Sequence, residues 1–213
     1  MLSQIKIIAA ACVLALSGTA QAIGTWETTL LGRDINGNAV DGSSASAVFL
    51  YDTDLKITWL RDANYAKTSG YDSDGAMYWG PANTWANALV VGAYSGWRLP
   101  TSDSCLFYNC TNSEMGHLWY VDLGGGLTDG DFKNLQRGDA WYWSGTEWAS
   151  LPEYYLSFRM GTGTQYPNWK SNFLYALAVR NGDVLAVPEP GTYALMLAGL
   201  VAMAVVARRG KQT

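Results

Sequence analysis

"AWYWSGTEWASLPEYYLSFRMGTGTQYPNWK", residues 140–170, decides the fold. It divides into three aromatic-rich segments, 140–148, 153–163 and 164–170, and Gly, Pro and Asn punctuate the boundaries. Aromatic side chains favour the pleated surface of a sheet, and those punctuators favour tight turns. The pattern therefore predicts meandering antiparallel strands. Period-two geometry puts Trp141 and Trp143 on one face and turns Tyr142 to the other. "FLYALAVRNGDV", residues 173–184, extends the β-rich half.

Upstream the pattern changes. "LKITWL" (55–60) alternates Leu55, Ile57 and Trp59 inward with Lys56, Thr58 and Leu60 on the other face, a half-buried strand. "AVFLYD" (47–52) precedes it, and "TWETTLLGRD" (25–34) reads as a strand that ends at the turn former Asn36-Gly37. Between them lies the polar loop 36–46. A first helix is expected in "PANTWANALVV" (81–91), with Pro81 in its first turn, Trp85 and Leu89 one turn apart, and Gly92 as its stop. A second is expected after Thr111-Asn112-Ser113-Glu114, which has capping-box spacing, with Met115, Leu118 and Trp119 as its apolar stripe and Gly124-Gly125-Gly126 as its end. Two early helices followed by a run of strands make an α+β fold.

The two ends belong to a different category. Lys6 precedes an apolar run up to Leu16, and Ala20-Gln21-Ala22 supplies the small-x-small site of a secretory signal peptide covering 1–22. At the other end no charge occurs from Pro190 to Ala207, 18 positions that would span roughly 27 Å as a helix, near the thickness of a bilayer core. The apolar residues point all round that helix, and Arg208, Arg209 and Lys211 follow, placing the basic end on the cytoplasmic side. Val187-Pro188-Glu189-Pro190, a transmembrane helix and then Arg208-Arg209 resemble the PEP-CTERM sorting signal of Gram-negative bacteria, over 187–213. The resemblance implies an exosortase as processing partner, a transient hold in the inner membrane, and release or transfer to the cell surface. Such proteins accompany exopolysaccharide and biofilm formation.

Between the ends lie 164 residues, 23–186, enough for one domain with its own core. Leaving out four basic residues and one acidic residue of the end segments reduces the chain's 14 and 18 to 10 and 17, a body of net charge −7. Such a balance argues against nucleic acid or other polyanions as partners. Cys105 and Cys110 remain after signal removal, and in an oxidising envelope they are expected to close a small disulfide loop. The alternative, a metal site, lacks histidine partners.

The body, assigned as one domain from 48 to 186 after an N-terminal strand and loop at 23–47, resembles the Lcl C-terminal-like domain over about residues 48–181. The matching residues are Asp52, Leu55 and Trp59; Trp85, Ala86 and Ala88; "GWRLPT" at 96–101; Tyr142, Trp143 and Ser144; Phe158 and Gly161; and "ALAVR" ending at Arg180. The resemblance implies a C-type-lectin-like domain with two helices, long loops and a twisted antiparallel sheet. The namesake adhesin binds sulfated glycosaminoglycans through a basic surface, whereas this body is acidic. The Glu-Pro-Asn and Trp-Asn-Asp motifs of calcium-dependent lectins are missing. In "GWRLP", Trp97 and Leu99 are expected to face the core while Arg98 crosses the surface or pairs with a carboxylate.

Nothing in the sequence assembles a catalytic apparatus. The sole histidine, His117, has no serine in a nucleophile-elbow pattern to serve, and it reads as a structural residue. Asp72-Ser73-Asp74-Gly75 has the oxygen ligands of a calcium-loop fragment without the distal glutamate, and it reads as a turn. No catalytic residue, metal or cofactor is expected. The functional hint is aromatic: nine of ten tryptophans lie between Trp59 and Trp169. Trp141, Trp143, Trp148 and Trp169 are the candidates for an exposed platform on which sugar rings stack. The expected function is an exported, non-enzymatic glycan- or protein-binding module, with a purely structural matrix protein as alternative and a carboxylate-dependent hydrolase as a third reading.

Overall fold

A computed structural model describes residues 29–185, 196–201 and 203. The signal peptide at 1–22, and Val187, Pro188, Glu189, Pro190, Arg208 and Arg209 of the sorting signal, lie outside these residues. Residues 196–201 are helical and exposed, but most of the span expected over 190–207 is not described. Among the described residues no helix is long and apolar enough to cross a membrane.

The body is α+β with two five-stranded sheets, where the sequence predicted one. Strands β1 (Leu30–Arg33), β2 (Phe49–Asp52) and β3 (Ile57–Leu60) run antiparallel in chain order. Then come a one-turn helix α1 (Tyr65–Thr68), the short strand β4 (Ala76–Met77), helix α2 (Trp79–Ala88) and β5 (Trp97–Arg98). Helix α3 (Glu114–His117) continues directly into a π-helical turn, Leu118–Asp122. Strands β6 (Trp141–Glu147), β7 (Tyr154–Arg159), β8 (Thr164–Trp169), β9 (Leu174–Tyr175) and β10 (Val179–Asn181) complete the chain. The first sheet has the order β1-β2-β3-β10-β5 and the second β4-β9-β6-β7-β8.

"FLYALAVRNGDV", read as one strand, is two. β9 joins the second sheet beside β6, and β10 joins the first between β3 and β5. The crossing is made by Ala176, Leu177 and Ala178, all buried. Small side chains let the backbone pass from one sheet to the other, and the Ala178 carbonyl accepts from the Leu60 amide at 3.0 Å.

Alternation along the strands feeds two cores rather than one core and a solvent face. Phe49, Leu60, Trp85, Trp97, Leu99 and Trp143 build the first. Leu50, Ile57, Trp59, Met115, Leu118, Tyr142 and Phe158 build the second. β3 is therefore buried on both faces, a correction to the half-buried strand expected of it. Leu60 lies in one core and Trp59 in the other, and Thr58 is fully covered, its hydroxyl donating to the Gly182 carbonyl at 2.6 Å. Trp97 and Leu99 face the core as expected, each 1% exposed.

Helix α2 begins two residues before Pro81 and ends at Ala88, with Leu89 already extended, so Gly92 is not its stop. Arg61 is the most deeply buried cation among the described residues. Its guanidinium donates to the carbonyls of Ser43, Ala47 and Asp131, as well as Ser44, and ties the polar loop before β2 to the loop before β6.

Candidate functional site

Strand β8 lies at the edge of the second sheet, paired on one side with β7. An open edge exposes backbone donors and acceptors. Here the loop carrying the disulfide covers part of it: the Phe107 amide donates to the Gln165 carbonyl, and the Gln165 amide returns the bond to Phe107, both at 2.7 Å. Two residues on, the outward position is Pro167, which has no N–H to leave unpaired.

The covering loop is closed by the Cys105–Cys110 disulfide, as expected from the spacing. Inside the ring the backbone adopts left-handed conformations at Phe107 (φ 71°) and Asn109 (φ 61°). For an aromatic residue that region is sterically costly, and it persists only where the surroundings over-determine it. Three contacts do so. The Tyr120 hydroxyl accepts from the Asn109 amide and donates to the Gly163 carbonyl, both at 2.8 Å. Gln165, fully buried, donates from Nε2 to the Cys105 carbonyl at 2.7 Å. Ser113 donates to the Cys110 carbonyl at 2.9 Å while accepting from the Gly116 amide as the cap of α3.

This scaffold displays apolar rings to solvent. Phe107 is 54% exposed and Tyr108 61%, and the Phe107 ring lies 5.6 Å from Tyr166 of β8, itself 44% exposed. Trp169, 48% exposed, ends the same strand and packs against Tyr154 at 5.3 Å. Nearby in sequence, exposed Phe173 meets Tyr78 at 4.2 Å.

Of the four tryptophans expected to form a platform, Trp169 alone is broadly exposed; Trp141 and Trp148 are half-buried. Trp143 is fully buried, and its indole nitrogen donates to the Met77 carbonyl at 2.8 Å, so it cannot face a ligand. Trp141 and Trp143 do share a face, but that face is packed into the first core. Sequence reasoning missed Phe107, Tyr108 and Tyr166. Pro167 was the available signal, since proline inside a strand marks an edge.

A second cluster forms where the β2–β3 turn meets the π-helical turn. His117 Nε2 lies 3.8 Å from an Asp54 carboxylate oxygen and 4.0 Å from one of Asp122. Asp52, fully buried, brings a third carboxylate to the same point; single donor atoms of Asp52, His117 and Asp122 all lie within 4.8 Å of one another. Asp52 is oriented by the turn, accepting from the amides of Asp54 and Leu55 at 3.0 and 2.8 Å. The Asp122 side chain is wholly buried, and neither of its oxygens has a hydrogen-bond partner among the described residues; nor has His117 Nε2. Burial pushes the Asp122 carboxyl up to about 6, opposed by the nearby Thr29 hydroxyl and His117 and reinforced by Asp52 and Asp54. The Thr29 hydroxyl stands near this carboxylate and favours its charged form, yet neither Asp122 oxygen is hydrogen-bonded among the described residues. The sequence showed a lone histidine because its partners Asp52, Asp54 and Asp122 are 65, 63 and 5 residues away.

The Asp72–Gly75 segment is the turn it was read to be. Asp72 accepts from the amides of Asp74 and Gly75 at 3.0 and 2.7 Å, bonds that hold its carboxyl below the usual range.

No curated protein matches the chain. Residues 186–211 match the family described as the PEP-CTERM protein-sorting motif, and this motif at the rear of the acidic α+β body implies that the chain is exported and processed by an exosortase.

Proposed function

We propose that the body is a non-enzymatic binding module, C-type-lectin-like in architecture, that engages a glycan of the exopolysaccharide or biofilm matrix at the cell surface or beyond it. One observation carries this reading: solvent-facing rings of Phe107, Tyr108 and Tyr166 stand on a covalently closed, backbone-strained loop at a sheet edge. Rings held in place lose little freedom when a ligand stacks on them, so the apolar faces of sugars gain contact at low entropic cost. The acidic body favours neutral or basic ligands over sulfated polyanions. The resemblance of residues 48–181 to the Lcl C-terminal-like domain supports the same reading, as does export.

Glycan-array binding, followed by calorimetry on the best neutral glycan, tests it. Phe107→Ala and Tyr166→Ala should each weaken binding about tenfold, equivalent to about 1.4 kcal/mol, with the thermal midpoint nearly unchanged because both rings are exposed. Absence of any glycan or matrix-polysaccharide binding would leave the purely structural matrix protein as the better account. Trp143→Phe serves as the opposite control: a loss of stability with no direct part in binding.

A further inference from the structure

We propose that Asp52, His117 and Asp122, with Asp54 at the open side, form a binding site for a first-row divalent cation of the Zn2+ or Mn2+ type. This goes beyond the glycan-binding reading and does not depend on it.

The carboxylate cluster alone would not carry the inference. Its weight comes from Asp122. A wholly buried carboxylate with neither oxygen hydrogen-bonded among the described residues is costly, and the neighbouring imidazole nitrogen is buried and unpartnered as well. Two such groups facing each other at 4.0 Å are too far apart to satisfy each other by a hydrogen bond. The same gap leaves room for an ion about 2.1 Å from each donor, after a small contraction. The 3.8 Å separation between His117 and Asp54 has the same character.

The backbone is shaped to produce this convergence. His117 and Asp122 are five residues apart and would point about 140° apart on a regular α-helix. The segment between them is wound with i→i+5 bonding, including the Leu123 amide to the Leu118 carbonyl at 2.9 Å. Such π-turns bring residues five apart towards one side and recur at functional sites. On the opposite wall, the amides of Asp54 and Leu55 fix Asp52 through one of its oxygens, leaving the other with only a long 3.5 Å contact from the Trp59 indole.

The donor chemistry selects the ion class. One imidazole and up to three carboxylates, with no thiolate, suit a borderline divalent cation. Calcium takes six to eight oxygens and has little use for an imidazole nitrogen. Two positive charges would offset the carboxylates gathered here, and Asp54, with its side chain 51% exposed, marks the side from which an ion arrives. Bound there, the ion would cross-link the β2–β3 turn to the turn that carries Tyr120, whose hydroxyl holds the disulfide loop.

The experiment uses the untagged full chain in mild detergent, stripped with EDTA and titrated with Mn2+ or Zn2+ alone. Calorimetry should give one ion per chain, and the thermal midpoint should rise with metal concentration. Because His117 is the chain's sole histidine, its imidazole proton resonances report on the site without ambiguity: Mn2+ should broaden them at sub-stoichiometric amounts. His117→Gln and Asp122→Asn should each weaken binding at least tenfold. Asp122→Asn keeps the shape and removes the uncompensated charge, so its metal-free form should melt no lower than the unsubstituted chain, separating lost ligation from lost folding. Stoichiometric binding of neither ion, or wild-type affinity in Asp122→Asn, would overturn the assignment.

Discussion

Arg98 shows how one side chain can organise two elements. Its guanidinium grips the Glu114 carboxylate with two bonds of 2.7 Å and reaches Asn181 of β10 with a third, also 2.7 Å. The same carboxylate accepts from the Thr101 amide at 2.7 Å. "GWRLPT" is thus stapled to the start of α3 and to the last strand of the body. Arg98→Met should lower stability by about 2 kcal/mol, seen as a lower urea midpoint with an unchanged slope, because it strands a mostly buried carboxylate. Arg98→Lys should recover only part of the loss, since an ammonium cannot reproduce the two-pronged grip. Gly116 makes the complementary point. A Cβ there would collide with the Cys110 carbonyl and the Ser113 hydroxyl. Gly116→Ala should therefore destabilise by more than about 2 kcal/mol, although alanine is the better helix former. Arg98's carboxylate partner was legible as a type of residue from the sequence. Its identity was not, because Glu114 is brought to it by the fold.

At the scale of elements, local chemistry was readable wherever it remained local. The start of α3 was visible in Thr111–Glu114, yet the cap is Ser113 rather than Thr111. A capping box needs its glutamate to reach back to the cap, and here that carboxylate is committed to Arg98 and Thr101. Ser113→Ala should cost about 1 kcal/mol, measurable by chemical denaturation. The division of residues 173–184 into β9 and β10 was not readable, since nothing in a continuous apolar run says that its halves pair with different sheets. The disulfide was readable from two cysteines and a compartment; its task, covering the β8 edge, was not. Replacing Cys105 and Cys110 together by serine should reduce stability by about 2 kcal/mol, the loop-closure value for so short a ring. If the ring holds the strained backbone of Phe107, the double variant should also weaken glycan binding while the signals of the sheet strands in solution spectra stay in place.

For the whole molecule, charge and hydropathy separated the body from an apolar, basic-ended tail, the resemblance carried by Val187–Pro190 and Arg208–Arg209 marked that tail as a sorting signal, and the α+β class followed from the order of the body's signals. The two-core arrangement was hidden because strands buried on both faces show no clean alternation. The ends of the body are joined: Arg33 of β1 makes paired bonds of 3.1 and 2.7 Å with Asp183, just beyond β10. A chain ending at Leu185 should therefore keep the thermal midpoint of the full body, whereas one ending at Ala178 should show no cooperative transition. β10 is interior to the first sheet, flanked by β3 and β5, and it lies only a few residues ahead of residue 186, where the sorting motif starts. A polypeptide exported across a membrane from its amino end delivers this strand last among those of the body. Until it arrives, β3 presents an unfilled edge and β5 has no neighbour, so the sheet closes only when the sorting motif itself reaches the membrane. If export runs in that order, completion of the fold and presentation of the motif to the processing enzyme would come close together, because the strand that closes the sheet and the motif are neighbours in the chain.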